Sequence, residues 1–168
     1  MAVGILGRES RFYESPRYRF KEAFPWAVHV MKIMRAAATG AAVDLNSRGP
    51  TQIKIVPKRI ASQYGVTVDN LHKPENAALA TMGYLIEALT ELKSRVKHQH
   101  LDYINESNYV DYLPYIYFGS TRRLINGDAH PQSNLYVSEM KKFMTWIELY
   151  ERAPISGKAN YRGAPRLL

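Results

Sequence analysis

The chain has 168 residues, 46% of them hydrophobic, which is enough for a real core in about one domain. It contains no cysteine, so disulfides, thiol catalysis and cysteine-ligated zinc are excluded. Its formal net charge of +8 favours a polyanionic partner, whether nucleic acid, an acidic protein surface or anionic lipid.

The first residues, MAVGILGRESRFYES, have an apolar part shorter than the ~7–15 residues of a signal h-region, so no secretory signal is expected. Residues 1–24 read as an extended arm. The most apolar run, Phe24 to Leu45, is interrupted by His29, Lys32 and Arg35. A spanning helix needs about 20 predominantly apolar residues, so this run is expected to be soluble or interfacial, and the protein to sit in the cytoplasm or within a particle. A first helix is predicted over 25–42. Pro25 suits a first turn, Val28, Met31, Met34 and Ala38 recur at helical spacing, and Gly40 weakens the end. Between Ala27 and Val68 the only acid, Asp44, faces Lys32, Arg35, Arg48, Lys54, Lys58 and Arg59.

After a loop at DLNSRGP, the segment TQIKIV is the candidate for a short strand before Pro57. RIASQYGVTVDNLHKPEN follows, from Arg59 to Asn76. Ala61 is a small residue at a predicted helix crossing, Gly65 makes the turn, and Val66 and Leu71 are apolar anchors beyond it. Thr67 would cap a second helix, with Asp69, Asn70, His72 and Lys73 on its exposed face. These residues resemble the helix-turn-helix of bacterial regulators over about fifteen positions, a likeness that implies DNA contact. Pro74 ends the second helix after about two turns, and Asp69 faces where phosphate would lie. IASQYGVTVDNL is equally similar to the two-helix centre of a LysM glycan-binding module, although the flanking strands of that module are absent. The lead-in residues Lys54, Lys58 and Arg59 are the predicted contacts for a polyanion.

A long central helix is predicted over 74–98. Ala78, Met82, Leu85, Leu89, Leu92 and Val96 form one seam, while Leu79 and Ile86 give a second apolar side, so neighbours are expected on both flanks. Glu91 and Arg95 form an i,i+4 pair on the exposed side. Glu87 and Glu91 lack the paired Glu-x-x-His motifs of helical di-iron sites and read as a solvated face. Of His98, His100 and Asp102 only the first and last converge on a helix, which is too few ligands for a metal. No metal and no cofactor is expected.

The stretch from Leu101 to Gln132 is aromatic and punctuated by Pro114, Gly119, Asn126 and Gly127. Tyr109, Tyr112, Tyr115 and Tyr117 interleave with Leu113, Pro114 and Ile116, and are read as a protein interface, with core packing and base stacking as alternatives. GSTRRL places Arg122 and Arg123 after a helix start, a candidate anion site. Asn105 heads a glycosylation sequon, discounted without a secretory signal. A fourth helix opens at Ser133 or Asn134, with Val137, Met140, Met144 and Ile147 on one face, and stops at Pro154. Residues 154–168 form a basic arm whose Arg162 and Arg166 are candidate interface contacts.

The expected fold is therefore mainly α: a helical core domain over 25–153 between an N-terminal arm at 1–24 and a C-terminal basic arm at 154–168. It would hold a short helix-turn-helix-like corner and a long central helix. No nucleophile elbow, phosphate loop or convergent triad is legible, so no catalytic residue is assigned and the chain is read as not an enzyme. The expected role is a non-enzymatic structural or assembly subunit of a large complex, such as a virion or a secretion, ribonucleoprotein or organellar machine. Its partners would be other protein subunits. The alternatives are a helix-turn-helix DNA-binding factor and an adaptor for acidic peptides.

Overall fold

The computed structural model describes residues 1–12, 14–40 and 47–152. The predicted basic arm at 154–168, with Arg162 and Arg166, lies outside the described residues, as does the end of the predicted first helix beyond Gly40. The described residues are mainly α-helical. In chain order the helices are α1 (Ala2–Ser10), α2 (Pro16–Ala23), α3 (Pro25–Thr39), α4 (Lys58–Tyr64), α5 (Pro74–Gln99), α6 (Tyr109–Tyr117), α7 (Thr121–Ile125) and α8 (Leu135–Arg152). Two short 3-10 turns, Val68–Asn70 and Pro131–Ser133, lie between them.

Local chemistry explains most of the boundaries. Prolines occupy the first turns of α2 and α3, where their missing N–H has no helical partner to lose. Gly40 and Gly65 end α3 and α4 in the left-handed region, at φ 67° and 63°. Asn134 caps α8, its Oδ1 accepting from the N–H groups of Tyr136 at 2.9 Å and Val137 at 3.3 Å.

The chain divides into two compact units, Met1–Arg8 with Met82–Leu168, and Glu9–Thr81. In the first unit, Leu85 and Leu92 of α5, Tyr115 and Ile116 of α6, Leu124 of α7 and Met140 of α8 share one core. Ile5 of α1 is fully buried in it. Helix α1 reaches that core through two glycines on adjacent turns. A Cβ added at Gly4 would stand 2.6 Å from the Met140 carbonyl oxygen, and one at Gly7 would stand 2.4 Å from Cγ of Phe143. Beside this close approach, Arg8 Nε lies 3.0 Å from Glu139 Oε2, and the guanidinium sits 4.8 Å from the centre of the Tyr136 ring. The N-terminal residues are thus not the extended arm that their short apolar run predicts, but α1 and α2. A run as short as AVGIL is marginal as an isolated helix, and α8 supplies the packing that holds it.

In the second unit, Ile53, Val56, Val66, Leu71 and Ala80 form a smaller core. The TQIKIV segment makes no strand among the described residues. Its one pairing is an isolated antiparallel bridge, with Arg48 N–H donating to Ile53 O at 2.9 Å and Ile53 N–H to Arg48 O at 3.0 Å. Gly49, at φ 73°, lies so close to Leu71 that a Cβ would stand 2.8 Å from the leucine Cβ. The hydroxyls of Thr51 and Thr81 meet at 2.7 Å in a buried hydrogen bond. Polar side chains of α2 hold the turn as well: Gly49 N–H donates to Glu22 Oε1 at 2.9 Å, and Lys21 Nζ donates to Ser47 Oγ at 3.1 Å and to Gln52 Oε1.

Helix α5 covers the predicted span, but its seam rotates. Leu85 and Leu92 are buried and Leu89 and Val96 half-buried as expected, whereas Ala78 and Met82 are exposed. The buried positions are Ala77, Ala80, Thr81, Leu85, Ala88 and Leu92. A strict 3.5-residue seam drifts about 20° per heptad on a straight helix, which carries its first members off the buried side.

Gly4→Ala and Gly7→Ala should each destabilise the protein by about 1–3 kcal/mol through overpacking, which outweighs the ~1 kcal/mol alanine gains in helix propensity. The measurement is the urea midpoint of each variant. An unchanged or higher midpoint would show that α1 does not lie against α8.

Candidate interaction surfaces

The predicted base-reading corner is built as a folding corner. Its first helix is α4, with Val66 and Leu71 buried behind it and Ala61 packed on the same cluster. Its second element is not an α-helix but the single 3-10 turn Val68–Asn70. Asn70 is committed to that turn: its Oδ1 accepts from Thr67 N–H at 2.9 Å and its Nδ2 donates to Gly65 O at 3.1 Å. His72 Nδ1 sits 3.0 Å from Asp69 O. Pro74 then starts α5 directly, leaving no length for a separate recognition helix. Lys54, Lys58 and Arg59 are all exposed, the last two in the first turn of α4.

The tyrosine-rich segment is a helix, and its tyrosines are mostly inward. Tyr112 and Tyr115 are buried, and Tyr109 and Tyr117 are half-buried against the same core. This corrects the interface reading for Tyr112 and Tyr115. Their rings join an aromatic chain in which Tyr103–Tyr112, Tyr115–Phe118 and Phe118–Tyr136 centroids lie 5.5, 5.3 and 5.1 Å apart. The hydroxyls are served inside the unit: Tyr103 donates to Leu124 O at 2.6 Å, and Tyr115 accepts from Asn134 Nδ2 at 3.2 Å. The available signal was the i,i+3,i+4 set Tyr112, Tyr115 and Ile116. Pro114 disguises it by reading as a break, yet it sits inside α6. Arg122 and Arg123 are exposed on α7, a helix of five residues whose Ser120 makes no side-chain cap.

Apolar surface is uncovered in places that the sequence read as buried. No residue of α3 is buried, and of the apolar residues read at helical spacing Met31, Met34 and Ala38 are exposed. On α5 Met82 of the predicted seam is 52% exposed and Ile86 of the second apolar side 62% exposed, while Leu79 of that side is half-buried. A groove of about 560 Å³ opens in the first unit between Asp111 of α6, Pro131 and Gln132, and the face of α8 bearing Val137, Trp146 and Leu149. Lys141 pairs with Asp111 at its wall, and Trp146 stacks on Tyr150 with ring centroids 5.9 Å apart. Among the described residues no three His, Asp or Glu side chains group as a metal site. No described helix is long and apolar enough to cross a membrane.

Burial raises the Tyr103 hydroxyl above its usual pKa, with Tyr112 adding to the effect. Burial also raises Tyr112, helped by the Asp111 carboxylate and then Tyr115. A group whose pKa is higher in the folded state stabilises that state fully below the unfolded value of about 10, and loses the contribution as pH climbs through the folded value. Stability should therefore begin to fall above about pH 10. Phenolate absorbance should show a late-titrating class that shrinks in Tyr112→Phe. One uniform class at the ordinary value would contradict this.

Comparison with protein-family models, with curated proteins and with solved structures finds no match to this chain.

Proposed function

We propose that this chain is a non-enzymatic structural or assembly subunit of a larger macromolecular complex. The observation that carries this reading is the open flank of α5. Leu85 and Leu92 are buried, while Met82 and Ile86, one turn apart, remain more than half exposed. The apolar pattern of α5 calls for neighbours on both flanks, and these two side chains stay largely uncovered. Burying a side chain of this size contributes about 1.5–3 kcal/mol, so an apolar surface on a second subunit gains by docking there. Single exposed hydrophobics are ordinary; two in register on a long helix form the start of a surface.

The charge balance supports an acidic partner. Lys58, Arg59, Arg122 and Arg123 are exposed, and electrostatic steering of an acidic subunit raises the association rate more than it raises affinity. The DNA-reading alternative draws little support from a corner whose second element is one 3-10 turn with its asparagine engaged.

The test is to isolate the chain from its native source at low and at high salt, and to measure the mass of the particle that carries it. The reading expects a protein complex, which Ile86→Glu disrupts without changing the circular dichroism of the purified chain. Duplex DNA at the same two salt concentrations is the control. Tight preference for one duplex, with no protein complex, would sink the assembly reading.

A further inference from the structure

Helix α3 reverses the usual arrangement of a surface helix, which turns its apolar stripe toward the core. At about 100° per residue, Trp26, Val30, Met31, Ile33, Met34 and Ala37 span roughly 160° of arc. Each of the six is exposed, Trp26 at 68% and Met34 at 67%. The half-buried side is instead Val28, Lys32 and Ala36, one turn apart. At the elbow with α2, Phe20 and Phe24 are also exposed, their ring centroids 5.5 Å apart.

The charge on this hairpin has one sign. From Ser15 to Gly40 the only acid is Glu22, and it is occupied: its Oε1 accepts from Gly49 N–H at 2.9 Å and its Oε2 lies 3.7 Å from Arg48 Nε. Lys21 is likewise committed to Ser47 and Gln52. Arg17 and Arg19 on α2 and Arg35 on α3 are exposed.

We infer that α3 lies in the plane of an anionic lipid surface. Its apolar arc would sit at the boundary between headgroups and acyl chains, with Arg17, Arg19 and Arg35 at the level of the lipid phosphates. Two observations select lipid over a protein groove. Aromatic side chains cluster at one end with arginines at the polar border, the composition of interfacial helices. The hairpin offers no acid toward the surface, whereas protein interfaces usually mix signs. The 15 residues of α3 measure about 22 Å, short of the ~30 Å needed to cross a bilayer but suited to lying flat on one.

The test is flotation of the full chain with vesicles of phosphatidylcholine alone and of phosphatidylcholine with about three-tenths phosphatidylserine. Anionic vesicles should carry at least ~10-fold more protein, and added salt should reduce the difference. In a Trp146→Phe chain Trp26 is the remaining tryptophan, and its emission should shift to the blue on anionic vesicles. Met34→Glu should lower binding about tenfold with circular dichroism unchanged, because Met34 is exposed. Should that variant misfold, the pair Arg17→Gln and Arg35→Gln must abolish the preference for anionic over neutral vesicles. Absent binding, an unshifted Trp26, or binding that survives these substitutions overturns the inference. So does lipid-free self-association or protein-partner binding abolished by Met34→Glu, which would give the face to protein. Vesicle binding tests α3, and loss of a complex through Ile86→Glu tests α5, so either can fail without the other.

Discussion

The close approach of α1 to α8 is the constraint on which the first unit depends. Side chains at Gly4 and Gly7 would overlap the Met140 carbonyl and the Phe143 ring, so their absence lets backbone lie where a side-chain layer would otherwise stand. That proximity seats Ile5 in the core shared by α5, α6, α7 and α8. It also brings Arg8 to the nearly buried Glu139, a carboxylate that would be costly to enclose without a cation. Apolar burial supplies the driving force, and the ion pair with the Tyr136 contact makes the docking specific.

The second unit solves its packing with different means. Its apolar core is small, and in the turn after Ser47 the Gly49 N–H is held by Glu22 of α2 and the Gly49 carbonyl by the Gln52 side chain. Lys21 shows what this costs: burial, with Lys32 and Arg17 nearby, holds its amine below the ordinary lysine value. Its polar contacts to Ser47 and Gln52 still anchor α2 to the turn. Because α2 spends Lys21 and Glu22 on the turn, the hairpin has its acid engaged and its outer face both apolar and basic. The surface chemistry of α3 follows from how the turn is satisfied.

The candidate sites were legible to different degrees. Exposure of Lys54, Lys58, Arg59, Arg122 and Arg123 is what a reading of charge alone expects, since lysine and arginine rarely leave water. Tyrosine is ambiguous in sequence because its ring favours burial and its hydroxyl needs a partner. Leu124 O and Asn134 supply those partners from residues far along the chain, which no local pattern reveals. At the corner, glycine and apolar spacing marked a real turn. Whether the next residues formed a helix long enough to read bases depended on the side chain of Asn70, which closes the turn on itself.

Helix positions in the long segments, their caps and the excess of positive charge were determined by the sequence alone, because capping, proline geometry and charge are properties of neighbouring residues. Gly40, Gly65 and Asn134 end or begin helices where local chemistry says they should. Which apolar faces are covered was decided only by the tertiary structure. Periodicity says that α3 and the outer flank of α5 are apolar, but not whether this chain contains an element to lie on them. The two glycines of α1 show the converse, since a short apolar run becomes a packed helix once α8 offers its backbone and the Phe143 ring.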